Sequence, residues 1–287
     1  MNWLEDLNTA MELIEERLPE NIAIEEVARA AGCSAFHLQR MFPYLTGLTL
    51  ADYLRRRRLS LAAEALAQGQ RVTDVAIAFG YDSPTAFTRA FKALNGVAPS
   101  KVCEEKAQVK AYPRLVFSLS VKGDEAMEYT IKTVPAFRVV GVLAGDDWTM
   151  EDAPEKAAQF WGQLGASGAM PQVLACADGS GPDGLLGVSF CDEGGFKGYM
   201  VGVASNAACP EGMVERTVEE SCYAIFPCTG PLPQSMQKLQ CRIVQEWLPS
   251  SGYEWASRAD VERYFDEDML SESCRSEVWL PIRPRTA

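Results

Sequence analysis

A chain of 287 residues, 47% of them hydrophobic and 23% charged, has the composition of a folded globular protein and length enough for two cores of ordinary size. No stretch approaches the roughly 18 apolar residues of a membrane span, and Glu5 and Asp6 near the start are unlike a secretion signal, so a cytoplasmic protein with no membrane partner is expected. The nine cysteines are scattered without a C-x-x-C pair and the single histidine is His37, which points to reduced thiols and to no zinc site or other metal centre.

The net charge of −12 speaks against nucleic acid only if it is taken for the whole chain. Residues 29–101 hold ten basic residues against four acidic ones, a net of +6, whereas residues 111–287 hold 14 against 25, a net of −11. The first segment has the footprint of a phosphate-binding surface and the second would repel DNA. Such asymmetry implies two jobs.

In chain order, Leu4, Leu7, Met11, Ile14 and Leu18 fall on one stripe with acids opposite, an amphipathic packing helix over 3–18. A short helix over 24–31 closes at Gly32, Cys33 makes a turn, and Ser34 caps a third helix with Leu38 and Phe42 inward. Phe36, His37, Gln39 and Arg40 are then expected outside or at the rim. Leu50 to Gln68, with Arg55 to Arg58, reads as a long connecting helix. The unit then repeats: Val75, Ala76 and Phe79 are buried at helical spacing, Gly80 turns the chain, Ser83 caps, Pro84 sits in the first turn, and Phe87 and Phe91 face inward. Thr85, Ala86, Thr88 and Arg89 are left outward, a surface suited to a DNA groove. Ser34, Arg40, Phe42 and Gly47 recur 49 residues later as Ser83, Arg89, Phe91 and Gly96. Val27 and Gly32 recur 48 later, so the second turn holds one extra residue, Asp82.

With Ala76, Gly80, Tyr81, Ser83, Phe87, Arg89, Phe91, Lys92, Gly96 and Pro99 in place, residues 3–103 resemble the DNA-binding domain of the AraC family. Leu50 departs from the pattern, at a place where many members have proline. The resemblance implies seven helices and two helix-turn-helix motifs, held on a rod to reach successive major grooves of promoter DNA. It makes Phe36, Gln39 and Arg40 the base-contact candidates of the first unit and Thr85, Ala86 and Arg89 those of the second. Thr88, His37 and the Arg55–Arg58 run are phosphate candidates, the arginine run being equally suited to a solvated or intramolecular role.

Residues 106–126 read as a linker in which Leu115 to Val121 either pairs as a strand or packs as an arm. Alternation then replaces helical spacing, with strand segments at 129–134 and 137–143, a helix at 155–164, and strands at 185–191 and 198–205. The order recurs with strands at 213–218 and 222–227, a helix at 233–248, and strands at 260–265 and 277–282. The glycine-rich stretch 165–187 reads as a loop. The expected fold is therefore multidomain, with an all-α double helix-turn-helix domain (1–105) followed by an α+β domain of duplicated β-α-β-β units (127–287). A groove near the pseudo-dyad of such a duplication is a natural ligand site.

Val261-Glu-Arg-Tyr264 and Glu277-Val-Trp-Leu-Pro-Ile282 are the pieces by which 127–287 resembles the GyrI-like small-molecule-binding domain. That resemblance implies a lipophilic cation or aromatic effector held between rings and a buried carboxylate. Glu262 and Glu277 are the candidate acids, and Trp161, Tyr199, Tyr223, Trp255, Tyr264 and Trp279 the candidate rings. No cofactor and no catalytic residue is expected. The reading is a transcription regulator that binds promoter DNA and a small organic effector and contacts RNA polymerase. Its alternatives are a second domain that contacts protein without a ligand, and a hydrolase of strained electrophiles built on Glu262 or Glu277 with a tryptophan.

Overall fold

The structure is a computed structural model that describes residues 3–20, 22–105, 107–118, 126–145, 148, 153–192 and 195–285. The chain forms two compact units, Met1–Ser120 and Val121–Ala287.

The first unit contains α1 (Trp3–Glu16), α2 (Ile24–Ala30), α3 (Ala35–Thr46), α4 (Leu50–Ala67), α5 (Val72–Ala78), α6 (Pro84–Asn95) and α7 (Pro99–Glu105). The internal repeat is geometric as well as textual. At both turns the residue after a left-handed glycine reaches back five residues, Cys33 N to Ala28 O and Tyr81 N to Ala76 O, each 3.0 Å. Ser34 and Ser83 accept the His37 and Ala86 backbone N–H groups at 3.2 and 3.1 Å, capping α3 and α6. Two cores result, and α4 belongs to both. Its Leu50 and Tyr53 pack with Leu7, Met11, Ile14, Leu38 and Phe42, while its Leu59, Ala62 and Leu66 pack with Val75, Phe87 and Phe91.

Residues 107–118 form no helix or strand, yet they are strapped to this unit and do not hang free as a linker would. Backbone N–H groups of Lys110, Tyr112, Leu115 and Phe117 donate in turn to Asn95 Oδ1, Ser60 Oγ, Tyr53 Oη and Asn8 Oδ1, and Asn8 Nδ2 returns a bond to Phe117 O. Leu115 and Phe117 add to the first core and Val109 to the second. Of the two sequence expectations for the part that begins at Leu115, the arm is what residues 115–118 show; 119–121 lie outside the described residues.

The second unit contains β1 (Thr130–Val134), β2 (Phe137–Leu143), α8 (Ala153–Ser167), α9 (Met170–Leu174), β3 (Leu185–Asp192), β4 (Gly195–Ala204), β5 (Val214–Val218), β6 (Ser221–Thr229) and α10 (Gln234–Arg242). From α10 a π-turn, Ile243–Trp247, leads into α11 (Leu248–Ser250), followed by β7 (Tyr253–Trp255), β8 (Asp260–Tyr264) and β9 (Arg275–Pro284). Two elements were not foreseen: α9, within the stretch read as a loop, and the short β7. The sheet order β1-β6-β9-β8-β3-β4-β2-β5, with β7 beside β9, is the same read from either end if the two halves are exchanged. Each half lends its first strand to the far half, so the duplication cannot be split into two free units.

Side chains of one sheet face form a core that includes Val139, Leu186, Val188, Met200, Tyr223, Val261 and Trp279. Residues of the other face meet the helices: Trp247 sits edge-on to Phe226 at 5.0 Å, and Gln240 reaches Glu262. That helix side carries the candidate site.

Candidate functional site

On the first unit, α6 presents Thr85, Ala86 and Arg89 to solvent and Thr88 half-exposed, while α3 presents Gln39 and Arg40 half-buried. Phe36 and His37 correct the expectation. Phe36 is only 5% exposed and His37 6%, with the rings 5.6 Å apart and the Arg40 guanidinium 6.0 Å from the Phe36 ring. Helix α3 buries Phe36, His37, Leu38, Met41 and Phe42, a wider face than a two-residue inward stripe. Phe36 is therefore packed inward beside Arg40 and is not presented at the surface.

The arginine run is largely turned inward. Arg57 makes a paired contact with Glu15 (2.6 Å between Nη2 and Oε2) and donates to Tyr112 O, and Arg58 donates to Leu18 O and Glu20 O. Arg56 lies 5.3 Å from the Tyr112 ring, and Arg55 is the exposed member, paired with Asp52. All four thus make intramolecular contacts, and Arg55 alone among them is exposed.

On the second unit, β8 turns Glu262 and Tyr264 toward the helices and Val261 and Arg263 away, as the two-residue repeat of a strand requires. The Tyr264 hydroxyl donates to Glu262 Oε2 at 2.7 Å, Tyr199 of β4 stands 3.5 Å from the same oxygen, and Gln240 of α10 donates to Oε1 at 2.7 Å. Trp161 of α8 donates its indole N–H to Tyr199 Oη at 2.8 Å and meets Tyr264 edge-on at 5.0 Å. Trp148 stacks on Tyr199 at 5.6 Å, and Phe160 closes the group edge-on to both. Burial first, and then the Glu262 charge, push the Tyr199 and Tyr264 hydroxyls well above the usual phenol range, which keeps both as donors. The hydrogen-bond partners of Glu262 are thus all neutral, and among the described residues no arginine or lysine ion-pairs with it.

Of the sequence candidates, Trp161, Tyr199, Glu262 and Tyr264 come together; the four others do not join them. Trp279 and Glu277 lie opposite Val261 and Arg263 in the β8–β9 ladder and so point to the other face. There Glu277 accepts from Trp279 Nε1 at 2.7 Å and pairs with Arg263 at 3.2 Å. Tyr223 is fully buried in that core with its hydroxyl on Ala259 O. Trp255 is buried with its indole N–H on Asp260 Oδ1. Sequence reasoning missed Trp148, Phe160 and Gln240. Phe160 was signalled by its place beside Trp161 in an amphipathic helix, whereas nothing local marks Trp148 or Gln240. Among the described residues no group of three or more His, Cys, Asp or Glu could hold a metal ion, and no helix is long and apolar enough to cross a membrane.

Comparison with known proteins agrees with this division. Residues 27–105 match a helix-turn-helix domain model, and residues 127–283, more than half of the chain, match the GyrI-like small molecule binding domain. The right origin-binding protein of Escherichia coli strain K12 is 44% identical over 286 residues, covering 94% of this chain and 95% of that one. The chain belongs to the AraC-type regulators with a GyrI-like domain. A relative that shares a smaller part is the HTH-type transcriptional activator AarP of Providencia stuartii, 36% identical over 88 residues, or 30% of this chain and 65% of that one. The chain therefore spans just under two thirds of that relative's length. Among solved structures, a transcription regulation protein of Staphylococcus aureus MU50 is 23% identical, with a TM-score of 0.46 over 55% of this chain and 99% of that chain. As a member of this family, the chain joins a helix-turn-helix domain to a GyrI-like small molecule binding domain.

Proposed function

We propose that the effector is a lipophilic cation bound at Glu262 among Trp148, Phe160, Trp161, Tyr199 and Tyr264. The observation that carries this reading is a carboxylate whose three hydrogen-bond partners are neutral, set in a ring of aromatic side chains. A cation supplies the charge this group lacks, and each ring face adds about 0.5–2 kcal/mol of cation–π attraction. The test compares methyltriphenylphosphonium with the neutral triphenylphosphine oxide by titration calorimetry. The intact protein should prefer the cation by about tenfold or more, and Glu262→Gln should abolish that preference; equal affinity for both compounds in the unaltered protein would sink the proposal.

On the DNA side the proposed readers are Gln39, Arg40, Thr85, Ala86 and Arg89, with Thr88 on phosphate. Arginine pairs with guanine and glutamine with adenine in the major groove, each contact contributing about 1–3 kcal/mol of discrimination. Arg89→Ala should therefore narrow the gap between specific and competitor DNA in retardation assays, and an unchanged ratio would refute its role. A partnership with RNA polymerase is supported by the activator name of AarP, which matches 30% of the chain.

A further inference from the structure

The symmetry of the sheet can be followed residue by residue. Gly141 of β2 faces Gly202 of β4 on one side and Val214 of β5 on the other; Ile225 of β6 faces Trp279 of β9 and Thr130 of β1. Moving inward by the same steps, Val201 faces Gly187 and Val278 faces Glu262. Gly187 and Glu262 then face each other, at the middle of the β3–β8 ladder. The pseudo-dyad passes between them, so Gly187 is the symmetry mate of the carboxylate on which the cation site is built.

A side chain at 187 would stand on the same sheet face as Glu262, because directly opposed residues of paired strands point the same way. The space it would take is already filled. A Cβ built there comes 2.5 Å from Tyr199 Oη, 3.4 Å from Tyr199 Cζ and 3.2 Å from Glu262 Oε2. The hydroxyl cannot swing away freely, since Trp161 Nε1 holds it at 2.8 Å and Trp148 stacks on its ring. Tyr199 is 5% exposed.

We infer that Gly187 is a specificity-determining position of the effector site: by carrying no side chain it admits the Tyr199 hydroxyl beside Glu262 and leaves the pseudo-dyad with one carboxylate. This rests on the cation-site reading above. Gly187 is a positioning residue acting through Tyr199, and the site it shapes takes a single positive charge flanked by aromatic groups. A symmetric pair of side chains at the dyad would exclude the phenol that completes the Oε2 side.

The test is a cycle of four full-length proteins: unaltered, Gly187→Ala, Tyr199→Phe, and the two together. Affinities for methyltriphenylphosphonium and triphenylphosphine oxide are measured for each, with melting temperature in the absence of ligand. General damage to the pocket would weaken both compounds alike, so the cation-to-neutral ratio is the readout. Gly187→Ala alone should lower that ratio about tenfold. In the Tyr199→Phe background, where the 2.5 Å contact no longer has an atom to meet, it should change the ratio less than about threefold. Equal effects in the two backgrounds, or no effect in the first, would overturn the inference. Should Gly187→Ala fail to fold, recovery of a folded protein in the double variant supports it and failure of both overturns it. If the unaltered protein shows no cation preference, the effector proposal falls by itself. The ligand-free melting temperatures then decide the steric part: a loss confined to the Tyr199 background upholds it, and additive losses refute it.

Discussion

Glu15 of α1 shows how much one contact decides about the helical unit. It accepts from Tyr53 Oη at 2.6 Å and from Arg57 through both Nε and Nη2, with the Glu15 and Arg57 side chains 15% and 12% exposed. Burial raises its pKa, but the hydrogen bonds from Arg57 and Tyr53 outweigh burial and hold the carboxyl below the usual carboxylate range. A folded-state pKa below the unfolded one means that this stabilisation is present above the ordinary carboxylate pKa and is lost as pH falls through the folded value. Melts followed by far-UV circular dichroism should therefore move down between pH 6 and pH 3 more steeply in the unaltered protein than in Glu15→Gln. The same slope in both would show that Glu15 carries no pH linkage. Removing one partner of this half-buried pair leaves hydrogen-bonding groups unsatisfied, which costs about 1–3 kcal/mol, the destabilisation expected of Arg57→Ala in chemical denaturation. Nothing in the sequence tied Arg57 to Glu15, 42 positions away; helical spacing named the two helices but not their mutual rotation.

At the scale of elements, the caps and turns were legible because they are local. Ser34, Ser83, Gly32 and Gly80 act within one turn of their own helix, so residue type and spacing alone identify them. Ser83→Ala removes the acceptor for the Ala86 N–H and should destabilise the helical unit by about 1 kcal/mol, measurable as a shift of the denaturation midpoint; an unchanged midpoint would deny the cap its role. The arginine run was ambiguous for the complementary reason. Arg58 lies on a rod with neighbours on several sides, and only packing shows that it holds Leu18 O and Glu20 O. Because phosphate contacts each contribute about −0.9 to the log–log salt slope of DNA binding, Arg58→Gln should leave that slope unchanged. A slope reduced by about one would place Arg58 on the DNA backbone. In the sheet, strand existence was visible from alternation, but the face of each residue was not. Glu262 and Glu277 both lie in alternating strands and looked equivalent; the β8–β9 register puts them on opposite sides.

For the whole molecule, charge, periodicity and repetition are properties of the chain read in order, and by themselves they determined two units, the doubled helix-turn-helix and the duplicated strand–helix pattern. Their effects act between near neighbours or as sums over a segment, and neither needs a fold to be known. The 49-residue echo fixed α3 and α6 as equivalents, and the split from +6 to −11 assigned the positive surface to the helical unit alone. The site is different. Gly187 and Glu262 meet only because antiparallel strands 75 positions apart pair in one register, and a slip of one residue would turn Glu262 into the opposite core. Which of the other seven candidate side chains surround the carboxylate, and that its symmetry mate is a glycine, was decided by tertiary structure, since strand pairing is set by non-local packing and the facing direction follows from register.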